Sequence, residues 1–291
     1  FYGCSNLDVT AIDAPTLTTN TFNQMFRSCK LGNQGNMNFW NTSSVTNMQH
    51  AFNNCGSFNQ PIGNWDVSNV TNMHQMFVNT TGFNQPIGDW DTSSVTDMSY
   101  MFQRYHGEMT FDQDIGNWDV SNVNTMREMF KSHRDNYNAF NNGGSPSISG
   151  WDTSSCTNMF EMFRYCGHFN QPIGNWDTSK VTNMKNMLYR ANSFNQDLGG
   201  WDMTGVTDLS NFFDGNPVFN NGGSTGINNW RPSSCTNMQQ MFTYATGFNQ
   251  PIGDWDTSSV TNMSYMFQRY YGGMTFDQDI GNWDVSNVNT M

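Results

Sequence analysis

The chain has 291 residues, a formal net charge of −12 and only 12% charged side chains, against a usual share of about 25%. It has no extended Lys/Arg cluster, which argues against a nucleic-acid-binding surface. Its apolar runs fall well short of the ~18 residues of a membrane span. Asn, Ser, Thr, Gly and Gln take the place of charge, so the expected surface is polar but largely uncharged.

Read from the N-terminus, a degenerate unit near Ala14–Phe26 ("NTFNQMF") precedes a sentence that the chain then repeats. It reads "FNQPIGNWDVSNVTNMHQMF" from Phe58, "FNQPIGDWDTSSVTDMSYMF" from Phe83, "FNQPIGNWDTSKVTNMKNML" from Phe169 and "FNQPIGDWDTSSVTNMSYMF" from Phe248. The tryptophans Trp40, Trp65, Trp90, Trp118, Trp151, Trp176, Trp201, Trp230, Trp255 and Trp283 are spaced 25, 25, 28, 33, 25, 25, 29, 25 and 28 residues apart. Counting each Trp as position 0, position 5 is Val or Cys, position 8 is Met or Leu, position 11 is mostly Met and position 12 mostly Phe. A Phe near position 18 and an Ile or Leu near 22 complete the apolar set. The spacing of positions 5, 8, 11 and 12 predicts one face of a short helix, with "DTSS" or "DVSN" supplying its N-cap and "IGNW" a short extended segment. A unit of this size cannot bury Trp, Met, Phe and Ile alone, but copies stacked like on like can.

The expected fold is therefore a single repeat solenoid over residues 1–291, with about eleven coils of about 25 residues, the longest 33, and short parallel strands alternating with short helices. At the usual strand spacing, the rod would be on the order of 50 Å long. Thr81–Met126 and Thr246–Met291 align over 46 positions and differ only at Asp97/Asn262, His106/Tyr271 and Glu108/Gly273, an offset of 165 residues. Such copies suit a length-setting module better than an individual pocket.

The "FNQPIGNWDTSNVTNMxxMF" pattern resembles the 26-residue-repeat surface proteins of mycoplasmas, other bacteria and protists, related to the BspA-like leucine-rich-repeat proteins. The resemblance spans nearly the whole chain and is weakest before Trp40. It implies a leucine-rich-repeat-like solenoid, an extracellular or cell-surface location, and structural or adhesive roles without catalytic residues. Phe1 and Met291 fall inside a coil, at positions 12 and 8, so the segment reads as cut mid-coil at both ends. Uncapped ends lead to an expected partner in other copies of the chain, in a longer or fibrous assembly.

Candidate site residues each carry two readings. The position-1 row Asp66, Asp91, Asp119, Asp152, Asp177 and Asp202, continued by Asp256 and Asp284 and interrupted by Arg231, either caps the turns or forms a weak calcium ladder. The Trp column reads as core before it reads as an exposed sugar-stacking strip. The Asn column at position 7 and the Asn-Gln pairs such as Asn59–Gln60 read as stacked amide ladders. Cys4, Cys29, Cys55 and Cys166 share position 15, and Cys156 and Cys235 replace a core Val. They read as buried small residues, with Cys4–Cys29, Cys29–Cys55 and Cys156–Cys166 as candidate disulfides. Sequons at Asn79, Asn69, Asn41 and Asn262 are glycosylation candidates, Asn79 best placed and Asn262 worst. Insertions after position 12 carry Arg104, Tyr105, Lys131, His133, Arg134, Tyr137, Arg269 and Tyr270, the expected interaction loops for a glycan or surface-protein partner. The five histidines (His50, His74, His106, His133 and His168) fall at unrelated positions with no HxxxH or HExxH pair, and no nucleophile elbow, P-loop or dinucleotide signature occurs. The reading is thus not an enzyme, with no cofactor. It is an extracellular structural repeat protein forming or decorating a filament or cell surface, expected to be glycosylated. The alternative is an adhesin or receptor-type binding module acting through its loops.

Overall fold

Each repeat divides its backbone amides between itself and its neighbours, and this division shapes the chain. In the computed structural model, which describes residues 1–4, 7, 19–32, 35–133, 138–270 and 272–291, the coil that begins at Trp65 shows the scheme in full. The N–H groups of Met73, Gln75, Phe77 and Asn79 donate to the carbonyls of Asp97, Ser99, Met101 and Gln103 on the next coil. The intervening N–H groups of Met76, Val78 and Thr80 donate three residues back, to Met73, Gln75 and Phe77. Thr71 N–H turns the other way, to Thr46 O on the preceding coil. The amides left over go to side chains: His74 N–H donates to Asn72 Oδ1 (2.8 Å) and Ser68 N–H to Asp66 Oδ1 (3.0 Å).

The outcome is a train of overlapping turns that climbs one coil per repeat. From Thr21 on, coils meet in parallel at one residue each, position 7, in a file running through Asn47, Asn72 and Asp97 to Thr290, and Leu7 pairs with Leu31 outside that file. The bridge therefore lies at the Asn column, whereas "IGNW" is a turn closed by bonds such as Trp90 N–H to Ile87 O (3.3 Å). The helix expected over positions 5–12 is not formed. Among the described residues the helices are short 3-10 segments, Met37–Phe39, Asn142–Gly144, Pro146–Gly150, Asn221–Gly223 and Thr225–Asn229. The reason is local: position 10 takes the left-handed conformation, with φ of 56° at Gln75, 59° at Tyr100, 54° at Glu128 and 54° at Glu161, which ends any α-helix that reaches it.

The apolar positions still face inward. Val70, Met73, Met76 and Phe77 are fully buried, as are their equivalents in most other coils. Phe rings at positions 12 and 18 form two interleaved files. Phe52, Phe77 and Phe102 stack at 5.6 and 5.4 Å, and Phe58 and Phe83 at 5.7 Å, with Phe77–Phe83 closing the two files at 4.3 Å. Leu188 interrupts the first file between Phe163 and Phe213.

Each Trp from Trp65 on adds a polar link, whereas Trp40 Nε1 is buried without a partner. Trp118 Nε1 donates to Ile87 O on the coil before it (2.9 Å), as Trp90 does to Ile62 O (3.1 Å) and Trp255 to Ile227 O (2.8 Å). Trp118→Phe removes this donor, leaves the buried Ile87 carbonyl with only the Trp90 N–H as partner, and leaves a small void. It is expected to destabilise the chain by about 2–4 kcal/mol, read as a lower urea midpoint at unchanged slope.

Candidate functional site

The repeated columns were the first candidates, and the structure gives each a partner within the stack. Asp91 Oδ1 accepts from the N–H of Ser93 (3.1 Å) and from its hydroxyl (2.6 Å). Asp66, Asp119, Asp152, Asp177 and Asp202 cap their own turns in the same manner. Hydrogen bonds from the capped Ser hold the Asp91, Asp152 and Asp177 carboxyls below the usual carboxylate range. Among the described residues no group of three His, Cys, Asp or Glu side chains is arranged to hold a metal ion. Arg231 does not pair with this row. Its Nη1 donates to the carbonyls of Asn228 and Trp230, both at 2.9 Å.

The Asn at position 19 forms a second ladder. Asn59 Oδ1 accepts from Asn84 N–H (2.9 Å), Asn84 Oδ1 from Asp112 N–H (2.9 Å) and Asn170 Oδ1 from Asn195 N–H (2.9 Å). The Trp column is buried apart from Trp283, so it is no exposed aromatic strip.

All six cysteines are free thiols, so none of the three candidate disulfides is formed. Position 15 instead uses its side chain as a donor to the carbonyl of position 12 one coil earlier: Cys55 Sγ to Phe26 O (2.8 Å), Cys166 Sγ to Phe130 O (3.0 Å), Thr80 Oγ1 to Phe52 O (2.6 Å). Burial pushes the Cys55 thiol up to about 12 and the Cys156 thiol to about 11, which removes thiolate reactivity at neutral pH. Asn216 holds the same position with both amide atoms buried and unpaired.

Among the sequons, Asn41 and Asn69 are exposed and Asn79 and Asn262 half-buried. Asn69 Nδ2 is committed to Ser43 O (2.9 Å), and Asn79 Oδ1 accepts from Tyr105 N–H (2.7 Å). Exposure thus favours Asn41 over Asn79, the residue ranked first on sequence.

A family model described as "Mycoplasma protein of unknown function, DUF285" matches residues 20–142, 105–225 and 222–291. The chain belongs to this family. No curated protein and no solved structure matches it. Three successive matches to one model make it a repeat protein in which DUF285 units run on from one another.

Within these DUF285 repeats the departures from period gather on one side. Asn142 and Asn221, in the two "NNGGS" inserts, are fully buried and act alike: each accepts from a preceding-coil N–H (Ile115, 2.9 Å; Leu198, 2.8 Å) and donates to a Ser carbonyl three residues on (2.8 Å in both). Gly143 and Gly222 have φ of 60° and 61°, which favours glycine. These inserts are built features.

Of the expected loop residues, Tyr105, His133, Arg269 and Tyr270 are exposed, while Arg134 and Tyr137 lie outside the described residues. Lys131 is only partly exposed and bridges two buried carboxylates, Glu128 (2.7 Å) and Glu161. Arg104 is a correction: it is 1% exposed rather than projecting.

The sequence reading missed the groups around these residues. Arg164 Nη1 pairs with Glu161 (2.8 Å), and its guanidinium lies over the Tyr165 and Tyr189 rings at 5.3 and 5.0 Å. Arg190 Nε meets Tyr189 OH at 3.3 Å. A signal existed in the sequence. Lys131, Arg164 and Arg190 fall at position 13 or 14 of consecutive coils, in a chain with only 12 basic residues.

Near Arg190, the buried Asp214 carboxyl is pushed up to about 7 by desolvation, against the pull of the Arg190 charge. A carboxyl whose folded pKa is raised holds its proton more tightly in the folded state, so its ionisation erodes stability as pH climbs from about 4 through 7. Asp214→Asn is accordingly expected to be more stable than the parent at pH 8, with the difference in urea midpoint vanishing near pH 4.

Proposed function

We propose that this chain is a structural element of a cell surface: a leucine-rich-repeat-like solenoid, related to the BspA-like surface repeats, that forms or decorates an extracellular layer or filament. One observation carries the reading. In the polar columns of the repeat the side chains are engaged inside the stack, with Trp40 Nε1 and the Asn216 amide as exceptions. Trp Nε1 donates to the coil before, Asp Oδ1 caps its own turn, and Asn Oδ1 accepts the N–H of the next coil. A repeat selected to bind would leave such groups converging on solvent. A repeat selected to hold its shape uses them up.

The low charge and the Asn- and Thr-rich exterior suit a surface exposed to salt and to neighbouring copies, because hydrogen bonding without ion pairs is insensitive to ionic strength. Surface display also gives the exposed sequons Asn41 and Asn69 their setting. The binding-module alternative keeps one specific support, the clustered cations and tyrosines beside the inserted loops.

Proteolysis of intact producing cells tests the location. Protease added outside is expected to degrade the chain while a cytosolic marker survives. Survival of the chain until the cells are lysed contradicts the proposal.

A further inference from the structure

Arg104 presents an energetic problem that the fold does not solve. The side chain is 1% exposed, and its Nε, Nη1 and Nη2 are all buried without a hydrogen-bond partner. A buried guanidinium without a partner is among the costliest arrangements a chain can keep, because five donors and a full charge lose water and gain nothing. Among the described residues no carboxylate lies within ion-pair distance of it, although the exposed Glu108 contributes some opposing field. Burial lowers its pKa only to about 10, so it stays cationic at neutral pH.

In the duplicated copy the equivalent arginine has no position-13 residue of a following coil laid against it, as Lys131 is laid against Arg104. Arg269 sits at the equivalent place in "QRYYGG", is exposed, and donates Nη1 to Gly273 O (2.8 Å).

Arg104 lines a pocket of about 450 Å³ together with Lys131, Arg164, Arg190, Tyr165 and Tyr189. Lys131 and Arg164 are held by Glu128 and Glu161, which fixes the wall. Neither Arg104 nor Arg190 has a carboxylate within ion-pair distance among the described residues, and Arg190 has only the more distant Asp214 to oppose it, so the pocket carries excess positive charge in a chain of net charge −12. The volume lies in the range of small-ligand sites.

We propose that this pocket binds an oxyanion, the carboxylate, sulfate or phosphate group of a ligand, with the Arg104 guanidinium as its primary donor. The planar fork of Arg104 matches two oxygens of such a group and reaches them by a rotation of its own side chain, because its nitrogens are buried in the empty protein. Arg190 adds a second charge from the pocket wall. The site goes beyond the structural role proposed above and does not depend on it. A shape-holding stack that also captures an acidic group would do so here, where four basic residues from consecutive coils meet.

The test compares Arg104→Met with the parent by thermal unfolding and calorimetry. The probes are sodium sulfate, sodium phosphate and sodium acetate, each against sodium chloride at equal ionic strength. The parent is expected to show a saturable rise in melting temperature with at least one oxyanion. Arg104→Met is expected to lose that binding by about tenfold or more. Without any oxyanion, Arg104→Met is expected to melt higher than the parent, because it removes a buried charge that the empty protein leaves unpaired. Arg190→Gln, a change at a partly exposed wall residue, is expected to give a smaller oxyanion-induced shift than the parent, each protein being measured against its own melting temperature in chloride.

The relative response to the three anions distinguishes a tetrahedral group from a carboxylate. The proposal is overturned if Arg104→Met melts lower than the parent in chloride, since the guanidinium would then have a partner within the chain. It is equally overturned if none of the oxyanions gives a saturable shift in the parent, or if parent and variant shift alike.

Discussion

Half of the amides in each turn train point away from their own coil, and the whole structure follows from where they go. Met73, Gln75, Phe77 and Asn79 give their N–H groups to the next coil, while Met76, Val78 and Thr80 close turns at home. Buried backbone donors must be paired, so a coil without a neighbour would lose four such bonds along with the burial of its Phe and Met side chains. This alternation makes the neighbour a condition of folding, as expected for quasi-one-dimensional repeats in which interface terms dominate. It also demands the left-handed residue at position 10, which lets consecutive N–H groups face alternately inward and outward.

The side-chain columns extend the same logic to parts of the coil that have no ladder. Trp Nε1 finds a carbonyl one coil back, Thr at position 2 donates to a carbonyl one coil on (Thr92 Oγ1 to Asp119 O, 2.8 Å), and the position-19 Asn accepts an amide from one coil on. Few of these bonds use a formal charge. The molecule is thus internally wired by neutral groups, and among the described residues most charged contacts are confined to the short stretch where Glu128, Lys131, Glu161 and Arg164 meet. In that stretch the coils carry their longest insertions, and there the match between side chain and partner fails, at Arg104.

Much of this was legible in the sequence, and the failures have physical causes. The Trp spacing marked the coils from Trp40 onward, and positions 5, 8, 11 and 12 proved buried in most of them, with Met291 exposed in the last. The helix inference failed because residues three and four apart also share a face in a train of turns that each close over three residues. What separates the two is the backbone at position 10, occupied by His50, Gln75, Tyr100, Glu128 and Asn186, a mixture with no glycine to announce a positive φ. The bridge column was misplaced for a related reason. Single-residue pairing leaves no alternating strand pattern, and the Asn at position 7 reads as a turn residue. Arg104 and Arg269 sit in nearly identical segments, so their different burial was invisible locally; it arises from the coil laid against Arg104, whose Lys131 carbonyl accepts the Arg104 N–H at 2.9 Å.

The account therefore rests on register between coils. Deleting residues 66–90 removes 25 residues and joins Trp65 to Asp91, so each remaining donor meets an equivalent carbonyl; deleting 66–89 removes 24 and places Trp65 directly before Trp90. Urea unfolding of the two deletions, side by side with the parent, is the most direct measurement. The account predicts that the 25-residue deletion unfolds cooperatively near the parent midpoint, while the 24-residue deletion loses most of its stability. Equal tolerance of both deletions, or equal collapse, would contradict it.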